Sequence, residues 1–150
     1  AAGQLDAIQE QYHLVHRDIG KTLLPITAAN NVATLSYSSL ALGLLSGAMT
    51  NARVFKGDDL RQANPRFSPE NRARVAAFMT AIKPIATMHD ASLAQIVIAW
   101  TLQQAGVTFA LCGARTAMQA QENAKAGSIS LTPKDLAKID SEIETHLAPI

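Results

Sequence analysis

The chain has 150 residues, of which 48% are hydrophobic and 17% charged, and its net charge is +1. That length suits one ordinary domain, and the balanced charge argues against a nucleic-acid-binding protein. The single cysteine, Cys112, excludes an internal disulfide and a zinc-binding cysteine pair, which is typical of a reducing compartment. The sequence shows neither a secretion signal nor an uninterrupted apolar run of membrane-spanning length, so we expect a cytoplasmic protein without a membrane span.

The first half of the chain alternates strand and helix patterns. Residues 6–12 weakly predict a strand, and residues 17–29 predict a short helix that ends near Asn30. Residues 32–37, VATLSY, are rich in β-branched and aromatic side chains and predict a second strand. A long polar segment, residues 51–69, follows. A loop of that length inside a compact domain is usually functional or loosely ordered.

The second half begins with two predicted helices. Apolar side chains recur at helical spacing from Val75 to Ala86, and Pro84 should kink this helix or end it early. Ser92 and Gln95 have the spacing of a capping box, which predicts the start of the next helix.

One more strand and two more helices follow. Residues 107–112, VTFALC, predict the third strand, and residues 116–126 predict a helix with Gly127 as its C-terminal stop. Thr132 as N-cap and Pro133 at the first helical position open the last helix.

This order of elements indicates a parallel sheet with helices packed on its faces. Three parallel strands cannot close a barrel, and both edges of such a sheet would stay unpaired, which natural folds avoid. We therefore expect the chain to associate with another copy of itself or with a complementary segment.

The join between the third strand and the next helix, Cys112 to Thr116, is suited to an anion. Small residues there leave backbone N–H groups exposed at the head of the helix, and the helix dipole also favours negative charge. The join alone does not decide whether a phosphate binds.

Six segments, in this order and spacing, resemble the aldo-keto reductases, and in particular the branch of the potassium-channel β subunits and related bacterial reductases. They are QEQYHLVHRD, LSYSSLALGLLSG, FKGDDLRQANPRF, LAQIVIAW, GVTFALCGARTAMQAQEN and LTPKDLAKID. The resemblance covers nearly all 150 residues. It implies an α/β fold, the C-terminal part (about strands 6–8) of a (β/α)8 TIM barrel, with parallel strands and outer helices.

In that family the first five strands carry the catalytic tyrosine, lysine, aspartate and histidine. The resemblance therefore implies that residues 1–150 form the NADP(H)-binding half of the barrel, and that the N-terminal catalytic half lies outside them. We expect no catalytic residue in the chain and no activity from the chain alone.

The resemblance also implies a nicotinamide site at the C-terminal ends of the strands, where barrel ligands bind. Gln9 matches a family glutamine that hydrogen-bonds the nicotinamide carboxamide. Tyr37 matches the aromatic residue that stacks under the nicotinamide ring. The alternatives are an ordinary polar residue at a strand end for Gln9 and a core tyrosine for Tyr37.

The segment after the second strand resembles the loop that wraps the pyrophosphate. Its implied cofactor-binding residues are Ser38, Ser39, Leu40, Leu42 and Gly43. Ser39 stands where many relatives have proline. Ala48 stands where close relatives place a lysine near the pyrophosphate, so we expect a weakened affinity.

The segment after the third strand resembles the site for the adenosine end of the cofactor. Its implied binding residues are Gly113, Arg115, Thr116, Gln119, Glu122 and Asn123. Arg115 would pair with the 2′-phosphate or stack on adenine, which favours NADP(H) over NAD(H). Thr116 and Gln119 also fit a capping box, which explains both without a ligand. Arg61 either clamps the adenine or is an ordinary surface arginine.

Two functions follow from these residues. The first is an NADP(H)-dependent reductase of aldehydes and ketones, of which this chain is the cofactor-binding half. The second is a non-catalytic half-barrel that binds a nucleotide or only a partner chain. The four histidines lack carboxylate or cysteine partners at metal-ligand spacing, so we expect no metal site.

Overall fold

The computed structural model describes residues 3–148 and 150. A three-stranded parallel sheet runs in sequence order, with each strand beside the next. The strands are β1 (Ala7–Gln11), β2 (Ala33–Tyr37) and β3 (Phe109–Ala110). This sheet and its surrounding helices confirm the predicted α/β fold with parallel strands.

Within the described residues, five α-helices and four short 3-10 turns connect and cover the sheet. The helices are α1 (Leu23–Ala29), α2 (Pro69–Met88), α3 (Leu93–Leu102), α4 (Ala117–Lys125) and α5 (Pro133–His146). The predicted capping box of Ser92 and Gln95 is confirmed at the start of α3. Thr132 and Pro133 open α5 as predicted, and Asp135 completes a second capping box there.

The predicted helix over residues 17–29 is wrong in its first half. A 3-10 turn covers Asp18–Gly20, and α1 begins only at Leu23. Pro25 is the reason, because its ring would clash with the carbonyl of Lys21 if the helix reached further back. In the first turn of α1 the missing N–H of proline costs no hydrogen bond.

Two helix ends also differ from the prediction. Pro84 does not end α2, which continues to Met88. The ring of Pro84 is exposed, whereas Ile82 and Ile85 beside it are buried. The packing of these two side chains holds the helix, although the proline leaves the carbonyl one turn back without its helical hydrogen bond. Gly127 lies inside a 3-10 turn and does not cap α4.

Strand β3 is shorter than the predicted 107–112. Only Phe109 and Ala110 pair with β2, although the backbone N–H of Leu111 still donates to the carbonyl of Ser36 over 2.7 Å. The hydroxyl oxygen of Thr108 accepts from the backbone N–H of Thr34 at 3.1 Å and replaces a main-chain acceptor of the ladder. Side-chain competition of this kind shortens a strand.

The core lies on one face of the sheet, among α2, α3 and α5. Trp100 of α3 is its largest fully buried side chain; it stacks on Tyr12 with ring centroids 6.0 Å apart and donates to Asp140. The opposite face of the sheet is open: Tyr37 is 39% exposed and Phe109 54%. Large apolar side chains on an uncovered sheet face are unusual in a complete domain.

Candidate functional site

A cleft of about 710 Å³ lies at the carboxyl ends of β2 and β3. Ligands of parallel α/β sheets bind at this end, and the volume suits a small molecule. Ten of the residues that sequence comparison implied as cofactor-binding line it: Ser38, Ser39, Leu40, Leu42, Gly43, Arg61, Gly113, Arg115, Gln119 and Glu122. The structure thus brings together two segments that lie some seventy residues apart in the chain.

The loop after β2 forms one wall of the cleft and has an unusual backbone. Ser38, Ala41 and Leu42 have φ angles of 62°, 48° and 56°, and Gly43 has 88°. Residues other than glycine seldom adopt this left-handed conformation, and such strained positions concentrate where a loop is shaped around a ligand. The backbone N–H groups of Ala41 and Gly43 donate to the carbonyls of Ser38 and Leu40 over 2.6 and 2.9 Å, so they hold the turn and are not available to an anion.

Hydrogen bonds hold this loop in place. The hydroxyl of buried Ser39 donates to the carbonyl of Leu111 over 3.2 Å and so joins the loop to the end of β3. The hydroxyl of Ser46 donates to the carbonyl of Gly43 over 2.7 Å. Ser39 therefore contributes a contact that a proline at this position could not make.

Arg61 lies on the rim of the cleft and is paired with Asp59. Its Nε and Nη2 donate to the two carboxylate oxygens over 2.8 and 2.5 Å. These hydrogen bonds lower the pKa of Asp59 to about 2, so the pair is charged at neutral pH. Nη1 reaches the carbonyl of Leu42 over a long 3.5 Å contact. With its charge matched by Asp59, the guanidinium is better placed to stack on a ring than to bind a phosphate.

The turn after β3 forms the opposite wall of the cleft. Side chains of the same turn accept hydrogen bonds from its backbone N–H groups. The hydroxyl of Thr116 accepts from the backbone N–H of Gln119 at 3.2 Å, as expected of an N-cap. The side-chain oxygen of Gln119 accepts from the backbone N–H of Arg115 at 2.8 Å. Asn123 donates to the carbonyl of Gly113 over 3.2 Å, a structural role that the sequence did not indicate.

Four of the implied residues lie outside the lining of the cleft. Thr116 and Asn123 stand behind the turn that they stabilise. Gln9 lies in the middle of the edge strand β1, where it pairs with Leu35, and it is exposed on the open face of the sheet. Tyr37 is exposed on the same face, at the end of β2, so it is not a core tyrosine in this chain.

The cleft also has lining residues that the sequence did not single out, chief among them Arg53, Ser46, Ser92 and Cys112. Arg53 comes from the long polar segment, whose length was the only signal of a functional loop. Burial raises the pKa of the Cys112 thiol. Arg61 is matched by Asp59, so Arg53 and Arg115 are the two lining arginines whose charge only Glu122 of the cleft opposes, and this balance favours an anion.

Within residues 3–148 and 150, no group of three or more His, Cys, Asp or Glu could hold a metal ion. No helix in that part of the chain is long and apolar enough to cross a membrane.

Comparison of folds identifies the architecture as the C-terminal part of a (β/α)8 barrel. The glycerol dehydrogenase AKR11B4 from Gluconobacter oxydans superimposes with a TM-score of 0.90 and 32% identity, over 99% of this chain and 45% of that one. Residues 3–144 match the model of the aldo/keto reductase family. The chain belongs to that family.

Two sequence relatives show how much of a family member the chain spans. It is 32% identical over 149 residues to aldo-keto reductase YhdN of Bacillus subtilis, covering 99% of this chain and 45% of the relative. It is 31% identical over 133 residues to the NADH-specific methylglyoxal reductase of Escherichia coli, covering 89% and 40%. The chain therefore spans less than half the length of these relatives.

Proposed function

We propose that the chain is the dinucleotide-binding half of an NADP(H)-dependent aldo-keto reductase acting on aldehydes or ketones. The observation that carries this proposal is the cleft at the carboxyl ends of β2 and β3, with its left-handed loop and its excess of arginines. A phosphate-rich dinucleotide matches the positive charge of the cleft and a loop whose strained backbone is typical of a ligand site.

The residues of the two walls fit the two ends of such a cofactor. The loop from Ser38 to Gly43 would wrap the pyrophosphate, since an added Cβ at Gly43 would meet no other atom within 4 Å and the backbone there is open to close approach. Arg115, Gln119 and Glu122 would hold the adenosine end, and Asn123 would fix the turn that carries them through its bond to the carbonyl of Gly113. Gln9 and Tyr37 would orient the nicotinamide ring from the open face of the sheet. When bound, the dinucleotide supplies the hydride for the carbonyl carbon.

The preference for NADP(H) rests on Arg115. Its guanidinium is exposed, and it forms no ion pair with any residue of the described chain, so it is available to a phosphate. A guanidinium binds a phosphate through two parallel hydrogen bonds, which a ribose hydroxyl cannot replace. The name of the Escherichia coli relative shows that an NADH-specific member exists at 31% identity, so the preference needs its own measurement.

The catalytic residues and the cover of the open sheet face would come from elsewhere. Tyr37 and Phe109 are exposed on that face, and the chain spans 45% of its relatives. We propose that a complementary N-terminal half, or else a second copy of the chain, packs there. If a second copy packs there, sedimentation of the 150-residue chain should show a dimer or larger species. A stable compact monomer at micromolar concentration would exclude the second copy and leave the complementary half.

Calorimetry with NADPH and NADH, followed by an assay of NADPH oxidation with an aldehyde, tests the function. The chain alone should bind NADPH with a dissociation constant of tens of micromolar or weaker, about 6 kcal/mol. It should reduce no carbonyl, because it binds the cofactor without stabilising the transition state. Measurable turnover would show that this chain carries its own general acid.

The second candidate is a non-catalytic half-barrel, favoured by the open sheet face. The mass of the protein isolated from its source separates the two. A polypeptide of roughly twice the length supports the reductase, and one of 16.0 kDa supports the half-barrel.

A further inference from the structure

Arg72 of α2 is a buried arginine whose contacts are made with one loop. Arg72 is only 9% exposed. Its Nη1 donates to the carbonyl oxygens of Thr50, Asn51 and Arg53 over 3.1, 3.2 and 2.9 Å. No carboxylate of the described chain pairs with it. Its buried charge is therefore stabilised by the carbonyl dipoles of the loop, and the loop is held by that charge.

Phe55, farther along the same loop, links Arg72 to Arg61. Its ring centroid lies 5.7 Å from Cζ of Arg72 and 4.7 Å from Cζ of Arg61. The rings of Phe55 and Phe67 pack at a right angle with their centroids 5.5 Å apart. Each guanidinium over a ring face adds an attraction, which strengthens when water is excluded. The loop thus has a polar attachment at residues 50–53 and an aromatic one at residue 55.

The anchored loop supplies arginines to the cleft. Arg53 and Arg61 line the cleft, whereas Arg72 does not. Arg61 also reaches the carbonyl of Leu42 on the opposite loop. A substitution at Arg72 can therefore alter the cleft only indirectly, by displacing the loop residues that Arg72 holds.

We propose that Arg72 is a positioning residue for nucleotide binding, which fixes residues 50–61 so that Arg53 and Arg61 stand at the cleft. The inference rests on the proposed function. An arginine suits this role because one planar, permanently charged group donates to several carbonyls while its face lies on an aromatic ring.

The first test measures the loop without any nucleotide. Trypsin should cut after exposed Lys56 about tenfold faster in Arg72→Gln than in the wild-type chain, because the released loop opens more often. Arg74→Gln is the matched control: it lies on the same helix, loses the same charge and trypsin site, and has only Glu70 as its partner. If Arg72→Gln is cut at the wild-type rate, the loop does not depend on Arg72 and the proposal is overturned.

The second test measures NADPH affinity by calorimetry. Arg72→Gln should weaken binding about fivefold to tenfold, and Arg74→Gln should leave it unchanged. In a chain that already carries Arg53→Gln and Arg61→Gln, the further change at Arg72 should cost less than about twofold, because coupled residues are non-additive. An equal loss in both backgrounds would mean that Arg72 acts by another route.

Outcomes of the two proposals can be told apart. If the wild-type chain binds NADPH and Arg72→Gln binds it equally well, only the role of Arg72 is overturned. If the wild-type chain does not bind NADPH, the proposed function fails and the role of Arg72 falls with it, whatever trypsin shows. Should Arg72→Gln fail to fold, Arg72→Lys keeps the charge with fewer donors and should show the same two effects at reduced size.

Discussion

Gln119 accepts a hydrogen bond from the backbone N–H of Arg115 through its side-chain oxygen, over 2.8 Å. The expected capping box would have joined Gln119 to Thr116 in both directions. Only the bond from the Gln119 backbone to the Thr116 hydroxyl forms in that way. The Gln119 side chain instead reaches past Thr116 to Arg115 and fixes the Arg115 backbone at the mouth of the cleft. The guanidinium of Arg115 stays in solvent.

Replacing Arg115 by alanine should weaken NADPH binding by about 1.5–3 kcal/mol, the size of a charge-assisted hydrogen bond. NADH binding should change much less, since NADH has no 2′-phosphate. Calorimetric titration of both nucleotides gives the two values. Lys125→Ala removes one positive charge from the far end of the same helix and serves as control. Equal losses for NADH and NADPH would show that Arg115 does not recognise the 2′-phosphate.

His13 should make the fold less stable in mild acid. It is fully buried, and burial, aided by Arg66 and His16, lowers its pKa from 6.5 to about 3. Between these values the unfolded chain binds a proton that the folded chain does not. Stability is therefore full above pH 6.5 and falls as the pH drops toward 3, by up to about 1.4 kcal/mol per pH unit from this one group.

Urea unfolding of the wild type and His13→Asn between pH 4.5 and 7 measures this slope. Asparagine keeps an acceptor for the Gln11 amide, which lies 3.0 Å from Nε2 of the imidazole. We expect the variant to lose most of the slope that the wild type shows. Parallel pH profiles would mean that His13 is protonated in the folded chain.

Replacing Gly106 by alanine should destabilise the fold for two reasons, its left-handed backbone and a close contact with Leu24. Its φ is +90°, and an added Cβ would lie 2.6 Å from the carbonyl oxygen of Leu24. Gly43 has a φ of +88° but open space around it. Gly43→Ala should therefore cost about 1–2 kcal/mol of unfolding free energy, the left-handed penalty alone, and Gly106→Ala about 3 kcal/mol or more. Similar losses in denaturant titrations would argue against the close contact.

Cys112 should report the state of the cleft. Burial raises the pKa of its thiol, so a thiol reagent should react more slowly with Cys112 than with free cysteine at pH 7.5. Because Cys112 lines the cleft, saturating NADPH should slow the reaction further. An unchanged rate with bound nucleotide would place NADPH elsewhere.

Local signals were sufficient for most of the secondary structure and for the family. Hydroxyl residues before α3, α4 and α5 predicted the helix starts, and β-branched runs predicted β2, because capping and strand preferences depend on near neighbours. The collinear motifs indicated an aldo-keto reductase, and the family match over residues 3–144 confirms it. The exceptions were local too, since Pro25 delayed a helix and Pro84 failed to end one.

Contacts between distant segments were decided only by the tertiary structure. Arg72 drew no attention in the sequence, because its acceptors are carbonyls about twenty residues away and every residue type has one. Asn123 resembled a ligand contact until its partner, the carbonyl of Gly113, was in place. Every residue has a backbone carbonyl, so the sequence does not show which carbonyl a polar side chain will bond to. Only the fold, which brings the two groups together, determines that pairing.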